Sequence, residues 1–197
     1  MPMEQGEERM TDAGMLQGLR TGNPAAVHRF VTEFGPRIHG FVRCFVAQRE
    51  TAEDLTQEVL LRAYQKCSQV NQPDHFVPWL FSLARNVALK EMSRRRYSVE
   101  TPRENAWFDE REAEGPNSPS DRLKTSDRAL LLGQALATLE ERNRQIMALR
   151  YYSGLPLKEI AGIMNIPIGS IGVMIQRSLE ALKKYFDSQG LKVEDLL

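Results

Sequence analysis

Between Thr51 and Arg96 the chain carries side chains suited to two kinds of binding. The segment 52–58 places three carboxylates and a glutamine in one stretch, which suits a basic protein partner. The segment 76–81 contains three aromatic rings, and three consecutive arginines follow at 94–96. Aromatic rings stack on unpaired bases, while arginine and lysine neutralise phosphates. The pattern therefore predicts a protein-binding surface next to a surface for single-stranded nucleic acid.

We expect no enzymatic or metal chemistry from the chain itself. His28, His39 and His75 are not spaced four residues apart, and with Cys44 and Cys67 they form no metal-ligand pattern. The sequence shows no glycine-rich phosphate loop and no supported Ser-His-Asp arrangement. Two cysteines among apolar neighbours predict buried thiols, not a disulfide scaffold. No catalytic residue, metal or cofactor is therefore predicted.

The net charge of zero conceals a strongly uneven distribution of charge along the chain. Residues 76–98 carry a net charge of +4, residues 99–121 carry −5, and residues 141–185 carry +4. Local fields at a binding site matter more than the total charge. The sequence therefore predicts two basic modules separated by an acidic linker.

Helical periodicity dominates the sequence, and no convincing alternating strand pattern is present. Gly35-Pro36 predicts a helix break, and Thr51 with Asp54 predicts a capped helix start. Residues 97–124 are rich in Pro, Glu, Asn and Ser, which predicts a flexible linker. These signals favour an all-α fold of two small helical domains. Thr11 or Asp12 is predicted to cap a first short helix. The other predicted helices cover 23–34, 36–46, 51–69, 78–96, 127–138, 140–152, 156–164 and 169–186.

One face of the 51–69 helix has the character of a protein contact. Leu55 and Val59 lie on the apolar side of a helical wheel, whereas Leu61 falls on the opposite side among acids and amides. A purely solvated face would not need a large apolar residue there. The outward face consists of Asp54, Gln57, Glu58, Leu61 and Gln65.

The C-terminal segment has the pattern of a helix-turn-helix. Asn165 stands at the turn, where Asn tolerates the left-handed conformation. In the second helix, Val173 or Met174 can touch a thymine methyl group, and Gln176 can bond adenine bidentately. Its inward positions are Ile171, Ile175, Ser178, Leu179 and Leu182, and its outward positions are Ser170, Val173, Gln176 and Arg177.

The segments 52–59 and 78–88 resemble region two of bacterial extracytoplasmic-function (ECF) sigma factors, and the segment 141–182 resembles their region four. The two matches occur in the family's order and spacing, and together they cover roughly residues 10 to 186. The resemblance implies an RNA polymerase core partner, including the β′ clamp helices and the β subunit, and a promoter DNA partner. The implied polymerase contacts are Asp54, Gln57, Glu58 and Leu61.

In the family, the loop before the second of these helices captures a base flipped out of the −10 element, and the helix follows the non-template strand. The −10 contacts implied here are Asn71, Gln72, Asp74, His75, Phe76, Trp79, Arg85, Asn86, Lys90 and Arg94. The implied −35 contacts are Arg142, Arg144, Lys158, Ser170, Val173, Gln176 and Arg177.

The recognition helix departs from the family at two positions. Gly172 and Met174 stand where the family has a Lys and an Arg that usually meet DNA. DNA binding is still expected, with phosphate contacts coming more from the basic residues outside these positions, such as Lys183.

The resemblance also divides the chain into parts. We expect a disordered N-terminus (1–9), a region two domain (10–97), an acidic linker (98–125), a region four domain (126–187) and a short tail (188–197). The linker is expected to thread the polymerase channel towards the RNA exit.

The expected function is that of an ECF sigma factor controlled by an anti-sigma factor. No signal-peptide pattern and no long apolar run is present, so we expect a cytoplasmic protein without membrane insertion. Two alternatives stay open. An autonomous helix-turn-helix regulator would bind duplex DNA without polymerase, and a sigma-like sequestering module would bind partners without supporting transcription.

Overall fold

The computed structural model describes residues 12–46, 48–97 and 131–190, and within these ranges the chain is helical with no β-strand. This confirms the all-α prediction. The predicted linker (98–125) and the two chain ends (1–9 and 191–197) lie outside the described residues. The helices in these ranges are α1 (Asp12–Arg20), α2 (Pro24–Val42), α3 (Arg49–Lys66), α4 (Phe76–Tyr97), α5 (131–137), α6 (Glu141–Tyr151), α7 (Leu157–Met164) and α8 (Ile168–Ser188).

α2 runs without interruption through Gly35 and Pro36, so the predicted break there is wrong. A proline inside a helix removes one backbone donor and usually bends or ends the helix. Here Phe30, Phe34 and Ile38 form a stripe that crosses the proline and is almost completely buried. Packing of this continuous face outweighs the loss of one hydrogen bond.

Two other helices begin earlier than the sequence predicts. α3 starts at Arg49, and Thr51 does not cap it, because the Thr51 hydroxyl donates to Gln48 Oε1 at 3.3 Å. α4 starts at Phe76, which places Pro78 in the first helical turn. A proline costs no intrahelical hydrogen bond there, since the first N–H groups of a helix have no partner within it. Two 3₁₀ turns, Cys67–Gln69 and Pro73–His75, connect α3 to α4.

An aromatic cluster fixes the start of α4 against α2. The Phe76 ring centroid lies 5.9 Å from that of Phe30 and 5.8 Å from that of Phe34. One turn further along, Phe81 packs edge-on against Phe41 at 5.5 Å. All five rings are buried, at spacings typical of favourable aromatic pairs. The loop that precedes α4 is therefore anchored at its end by a rigid core.

α6, α7 and α8 form the predicted helix-turn-helix module. Gly154 follows α6 with a φ of +67°, and Pro156 precedes α7. Asn165 ends α7 in the left-handed conformation with a φ of 54°, and its N–H donates to carbonyls of the last turn. The predicted conformation of Asn165 is confirmed.

The buried stripe of α8 comprises Ile171, Ser178, Leu182 and Phe186. Leu179 is 44% exposed, so its predicted inward position is wrong. It follows Ser178 by one residue and so lies about 100° further round the helix. A second, smaller apolar cluster joins the end of α8 to α5 and α6 and consists of Ala135, Leu139, Met147, Leu182 and Phe186.

The larger apolar core crosses from the N-terminal helices into the C-terminal module. α6 packs against α2, and α7 packs against α4. Side chains from α6, α7 and the turn between them belong to the same buried cluster as those of α1 to α4, namely Ile146, Leu149, Leu155, Ile160 and Ile163. The two modules are thus in direct contact.

Both cysteines are free and buried, as the sequence predicts. No helix in the described ranges is by itself long and apolar enough to cross a membrane. α7 and α8 meet such a test of length and composition only as a pair, and they are bent by 101° relative to each other.

Candidate protein-binding and nucleic-acid-binding surfaces

The outward face of α3 carries the four residues predicted to contact protein. Asp54 and Gln57 are exposed, and Leu61 is 57% exposed although it is a large apolar side chain. Glu58 is half-buried and forms an ion pair with Arg62, one turn further along. The structure therefore places all four residues on one helix, with Leu61 as an apolar centre among polar groups.

A cavity of about 560 Å³ opens beside the loop between α3 and α4. Four of the predicted −10 contacts line it, namely Asn71, Gln72, His75 and Trp79. Its opposite wall comes from α7, through Glu159, Gly162 and Ile163. The loop side offers amide, imidazole and indole groups, which can bond the edge of a nucleobase and stack on its face.

Phe76 and Asp74 do not belong to this cavity. Asp74 is exposed. Phe76 is completely buried between α2 and α4, so its predicted role as a loop contact to DNA is not supported by its position. Phe76 is the first residue of α4. Its ring packs against aromatic neighbours, including Trp79, whose ring centroid lies 6.0 Å away.

The predicted DNA contacts on α4 fall into two groups. Asn86 and Lys90 are exposed, as is Arg94, whose guanidinium donates to both carboxylate oxygens of Glu91 at 2.9 and 3.0 Å. These hydrogen bonds raise the pKa of Arg94. Arg85 is half-buried, and its Nε has no exposed surface and no hydrogen-bond partner. Burial lowers the pKa of Arg85, with a further lowering from the positive charge of Arg142.

The outward positions of α8 agree with the sequence analysis. Ser170, Val173, Gln176 and Arg177 are all exposed. Gln176 Nε2 donates to Glu180 Oε1 at 3.1 Å. The first turns of α8 therefore present a surface of mixed character, in which Val173 is 46% exposed and one guanidinium supplies positive charge.

Of the three basic residues predicted to support −35 binding from outside α8, two are free to reach a phosphate. Arg142 and Lys158 are exposed. Arg144 instead donates to the carbonyls of Leu139 at 2.8 Å and Ala137 at 3.3 Å, which ties the end of α5 to α6. Arg144 therefore has a structural role, which differs from the predicted DNA contact.

Sequence reasoning missed the residues through which the two modules touch. Arg37 NH2 donates to the carbonyl of Ser153 at 2.5 Å. The ring of Tyr152 lies against Gly40, where an added Cβ would be 3.1 Å from two ring carbons. Gly40 lies within a helix and Tyr152 follows another helix, and neither residue type indicates in the sequence that the two are in contact. Only the assembled structure shows this contact.

Family comparison agrees with this organisation. The chain matches the family model for sigma-70 region 2 over residues 30–97 and the model for sigma-70 region 4 over residues 129–182. These two segments contain the loop and α4 on one side and the helix-turn-helix on the other.

Bacterial sigma factors are similar to most of the chain. The RNA polymerase sigma-H factor of Pseudomonas aeruginosa is 26% identical over 88% of this chain and 92% of that protein. The ECF RNA polymerase sigma factor SigW of Bacillus subtilis is 25% identical over 86% of this chain and 93% of that protein. The ECF sigma-E factor of Escherichia coli K12 is 25% identical over 89% of this chain and 94% of that protein.

Two solved structures share the fold. CnrH in complex with the cytosolic domain of CnrY matches with a TM-score of 0.61 and 18% identity, over 90% of this chain and 97% of that one. The sigma factor RpoE in complex with the anti-sigma factor NepR, from Bartonella quintana, matches with a TM-score of 0.61 and 20% identity, over 81% of this chain and 96% of that one.

A region 2 bundle followed by a region 4 helix-turn-helix defines a sigma factor of the sigma-70 type. Among these, the chain belongs to the ECF family of RNA polymerase sigma factors. Its function is to direct RNA polymerase core to specific promoters and to help open the −10 region.

Proposed function

We propose that the outward face of α3 is the polymerase-binding surface of this sigma factor. The exposure of Leu61 among acidic and amide side chains carries this assignment. An apolar residue flanked by Asp54 and Gln57 suits a partner that offers an apolar groove rimmed by basic groups. By family resemblance, that partner is the β′ clamp helix pair.

The cavity beside Trp79 is proposed as the pocket for a base flipped out of the −10 element. Asn71, Gln72 and His75 supply hydrogen-bonding groups around an aromatic wall. Taking a base out of the stack costs a few kcal/mol, which a fitted pocket can offset. Asn86, Lys90 and Arg94 continue outward along α4, where they can follow the strand through its phosphates.

The −35 duplex is proposed to bind the outward face of α8. Val173 can contact a thymine methyl group, and Gln176 can read adenine once it releases Glu180. Arg142, Lys158 and Arg177 are exposed and can hold phosphates, which position the helix without specifying sequence.

An anti-sigma factor is proposed as a further partner. The solved structure of RpoE with NepR is a sigma factor bound to an anti-sigma factor, and it has the same fold as this chain. The exposed faces of α3 and α8 are two surfaces that such a partner can cover at once. The proposed place of action is the cytoplasm, and the catalytic chemistry of transcription belongs to the polymerase.

Run-off transcription with core polymerase on a genomic library tests the proposal. Alignment of the start sites should yield a shared −10 and −35 element at a fixed spacing. An autonomous regulator would bind its sites as tightly without polymerase, and a sequestering module would give no transcript. Variants at Leu61, His75 and Gln176 should separately reduce core binding, −10 opening and −35 preference.

A further inference from the structure

Residues 168–182 of α8 carry no net charge, because they contain one cation, Arg177, and one carboxylate, Glu180. Gly172 and Met174 stand where the family has a Lys and an Arg that usually meet DNA. Positive side chains supply most of the general attraction between a protein and duplex DNA. α8 therefore offers little of that attraction, and its carboxylate reduces it further.

Glu180 lies on the same face of α8 as the side chains proposed to read bases. Val173, Gln176 and Glu180 are spaced by three and four residues, which places them in one line along a helix, and all three are exposed. The rise from Gln176 to Glu180 is about 6 Å. Duplex DNA that reaches Gln176 therefore also meets Glu180, and its phosphates repel that carboxylate.

Glu180 also holds the amide group of Gln176. Gln176 Nε2 donates to Glu180 Oε1 at 3.1 Å. A hydrogen bond to an ionised acceptor is stronger than one between neutral groups. Reading adenine requires the Gln176 amide to bond N6 and N7 of the base. A side chain turned along the helix towards Glu180 cannot at the same time extend away from the helix to a base edge, so the base and Glu180 compete for this amide.

We infer that Glu180 restrains the −35 surface and limits both its affinity for duplex DNA and its preference for adenine. The inference rests on the proposed reading of adenine by Gln176. When Gln176 reaches a base, its hydrogen bond to Glu180 is lost and the carboxylate is left facing the phosphates. The loss of this bond falls on the sequence that Gln176 reads, which narrows the difference between adenine and the other bases.

A restrained −35 surface fits a protein whose DNA contacts are tethered on one polymerase. Tethering raises the effective concentration of a second contact, so two weak contacts together give tight binding. A weak −35 contact makes promoter binding depend on polymerase and on the −10 contact. Removal of the restraint should therefore strengthen DNA binding, which is the opposite of the usual effect of substituting a residue on a binding surface.

The first test compares two substitutions of Glu180 in holoenzyme bound to promoter duplexes with randomised −35 base pairs. The promoter comes from the run-off transcription experiment, and sequencing of bound and free duplexes gives the relative affinity for each base. Glu180→Ala removes the charge and the acceptor, and it should raise the preference for adenine about threefold, as expected for the loss of one competing hydrogen bond. Glu180→Gln keeps an amide oxygen that can accept from Gln176, so the preference should rise less.

Both substitutions should also strengthen binding to every duplex alike, because a negative charge that faces the phosphates is removed. This uniform gain should shrink between about 0.05 and about 0.5 M NaCl, since salt screens it, while the adenine preference of Glu180→Ala should persist. Asp187→Asn is the matched control, because it removes an exposed carboxylate from the same helix about two turns beyond Glu180. It should leave the adenine preference unchanged.

Gln176→Ala separates this inference from the proposed function on which it rests. If that variant keeps every −35 preference of the wild type, Gln176 reads no base, and the proposed role of Gln176 is wrong together with the inference. If Gln176→Ala removes the adenine preference while Glu180→Ala lowers or retains it, only the inference is wrong. The double variant gives the last comparison. A rise in adenine preference caused by Glu180→Ala should disappear in the Gln176→Ala background, and a rise that persists there would overturn the inference.

Discussion

At the level of single residues, exposure separates side chains that can meet DNA from those that build the core. His75 and Phe76 are neighbours, and both types suit a base pocket. His75 is exposed and lines the cavity, whereas Phe76 is buried against Phe30 and Phe34. The rings that bury Phe76 come from α2, more than 40 positions earlier, so the local pattern could not reveal the difference.

Substitution of the two neighbours should therefore have different effects. Phe76→Ala should lower the free energy of unfolding by about 3–5 kcal/mol, since it removes a fully buried ring and leaves a cavity. His75→Ala should change it by no more than about 0.5 kcal/mol and should reduce promoter opening. Urea denaturation and permanganate reactivity of the −10 thymines measure the two effects. A stable Phe76→Ala protein with impaired opening would restore Phe76 as a DNA contact.

Two helical glycines differ in the space that surrounds them. A Cβ added at Gly172 in α8 meets nothing within 4 Å, whereas one at Gly18 in α1 would lie 2.4 Å from Ala26 Cβ. Glycine lowers helix stability by about 0.5–1 kcal/mol relative to alanine. Gly172→Ala should therefore stabilise the protein by about that amount, and Gly18→Ala should destabilise it, because α1 and α2 must separate.

Thermal unfolding of both variants tests this comparison, with Gly162→Ala as a control in α7, where an added Cβ is also unobstructed. Measurement of −35 duplex affinity for Gly172→Ala adds a functional result. A stabilised protein with weaker duplex binding would mean that the DNA approaches the backbone closely at Gly172. Destabilisation by Gly172→Ala would contradict the open surroundings described for it.

At the level of elements, periodicity predicted where helices exist better than where they start and end. The continuous α2 shows why, because local signals at Gly35 and Pro36 were outweighed by a buried stripe that only tertiary packing defines. The early start of α3 at Arg49 has a similar origin, since Ala52 and Leu55 are already buried there. By contrast, Asn165 was predictable, because a left-handed turn residue is a local property.

The outward face of α3 is predicted to bind core polymerase. Asp54→Lys and Leu61→Asp should each weaken binding to core polymerase about tenfold or more and leave the circular dichroism spectrum unchanged, because both side chains point away from the core. Asp187→Lys is the control for the change of charge, since it is exposed near the far end of α8. Unchanged affinity of both α3 variants, measured by fluorescence anisotropy, would remove this face from the interface.

At the level of the whole molecule, contact between the modules is the property that the sequence revealed least. The charges by segment divide the neutral chain into two basic segments separated by an acidic one. They gave no sign that region 4 would pack on region 2, because the contact depends on Gly40, Tyr152 and a backbone carbonyl. None of these groups has a distinctive pattern, and like charges on the two modules would favour separation.

A small protein partner is predicted to hold the whole molecule inactive in the cell. The faces of α3 and α8 both carry exposed apolar side chains, Leu61 and Val173, which a single partner can cover. We expect tagged protein from unstressed cells to carry a small partner at one-to-one stoichiometry, detected by size-exclusion chromatography with light scattering. Excess core polymerase should displace that partner, because both would use the α3 face.

Asp54→Lys and Leu61→Asp provide the control, since both should weaken binding of the small partner as well as binding of the polymerase. Recovery of polymerase alone, without a stoichiometric small protein, would contradict the prediction. In that case the amount of protein made would set its activity.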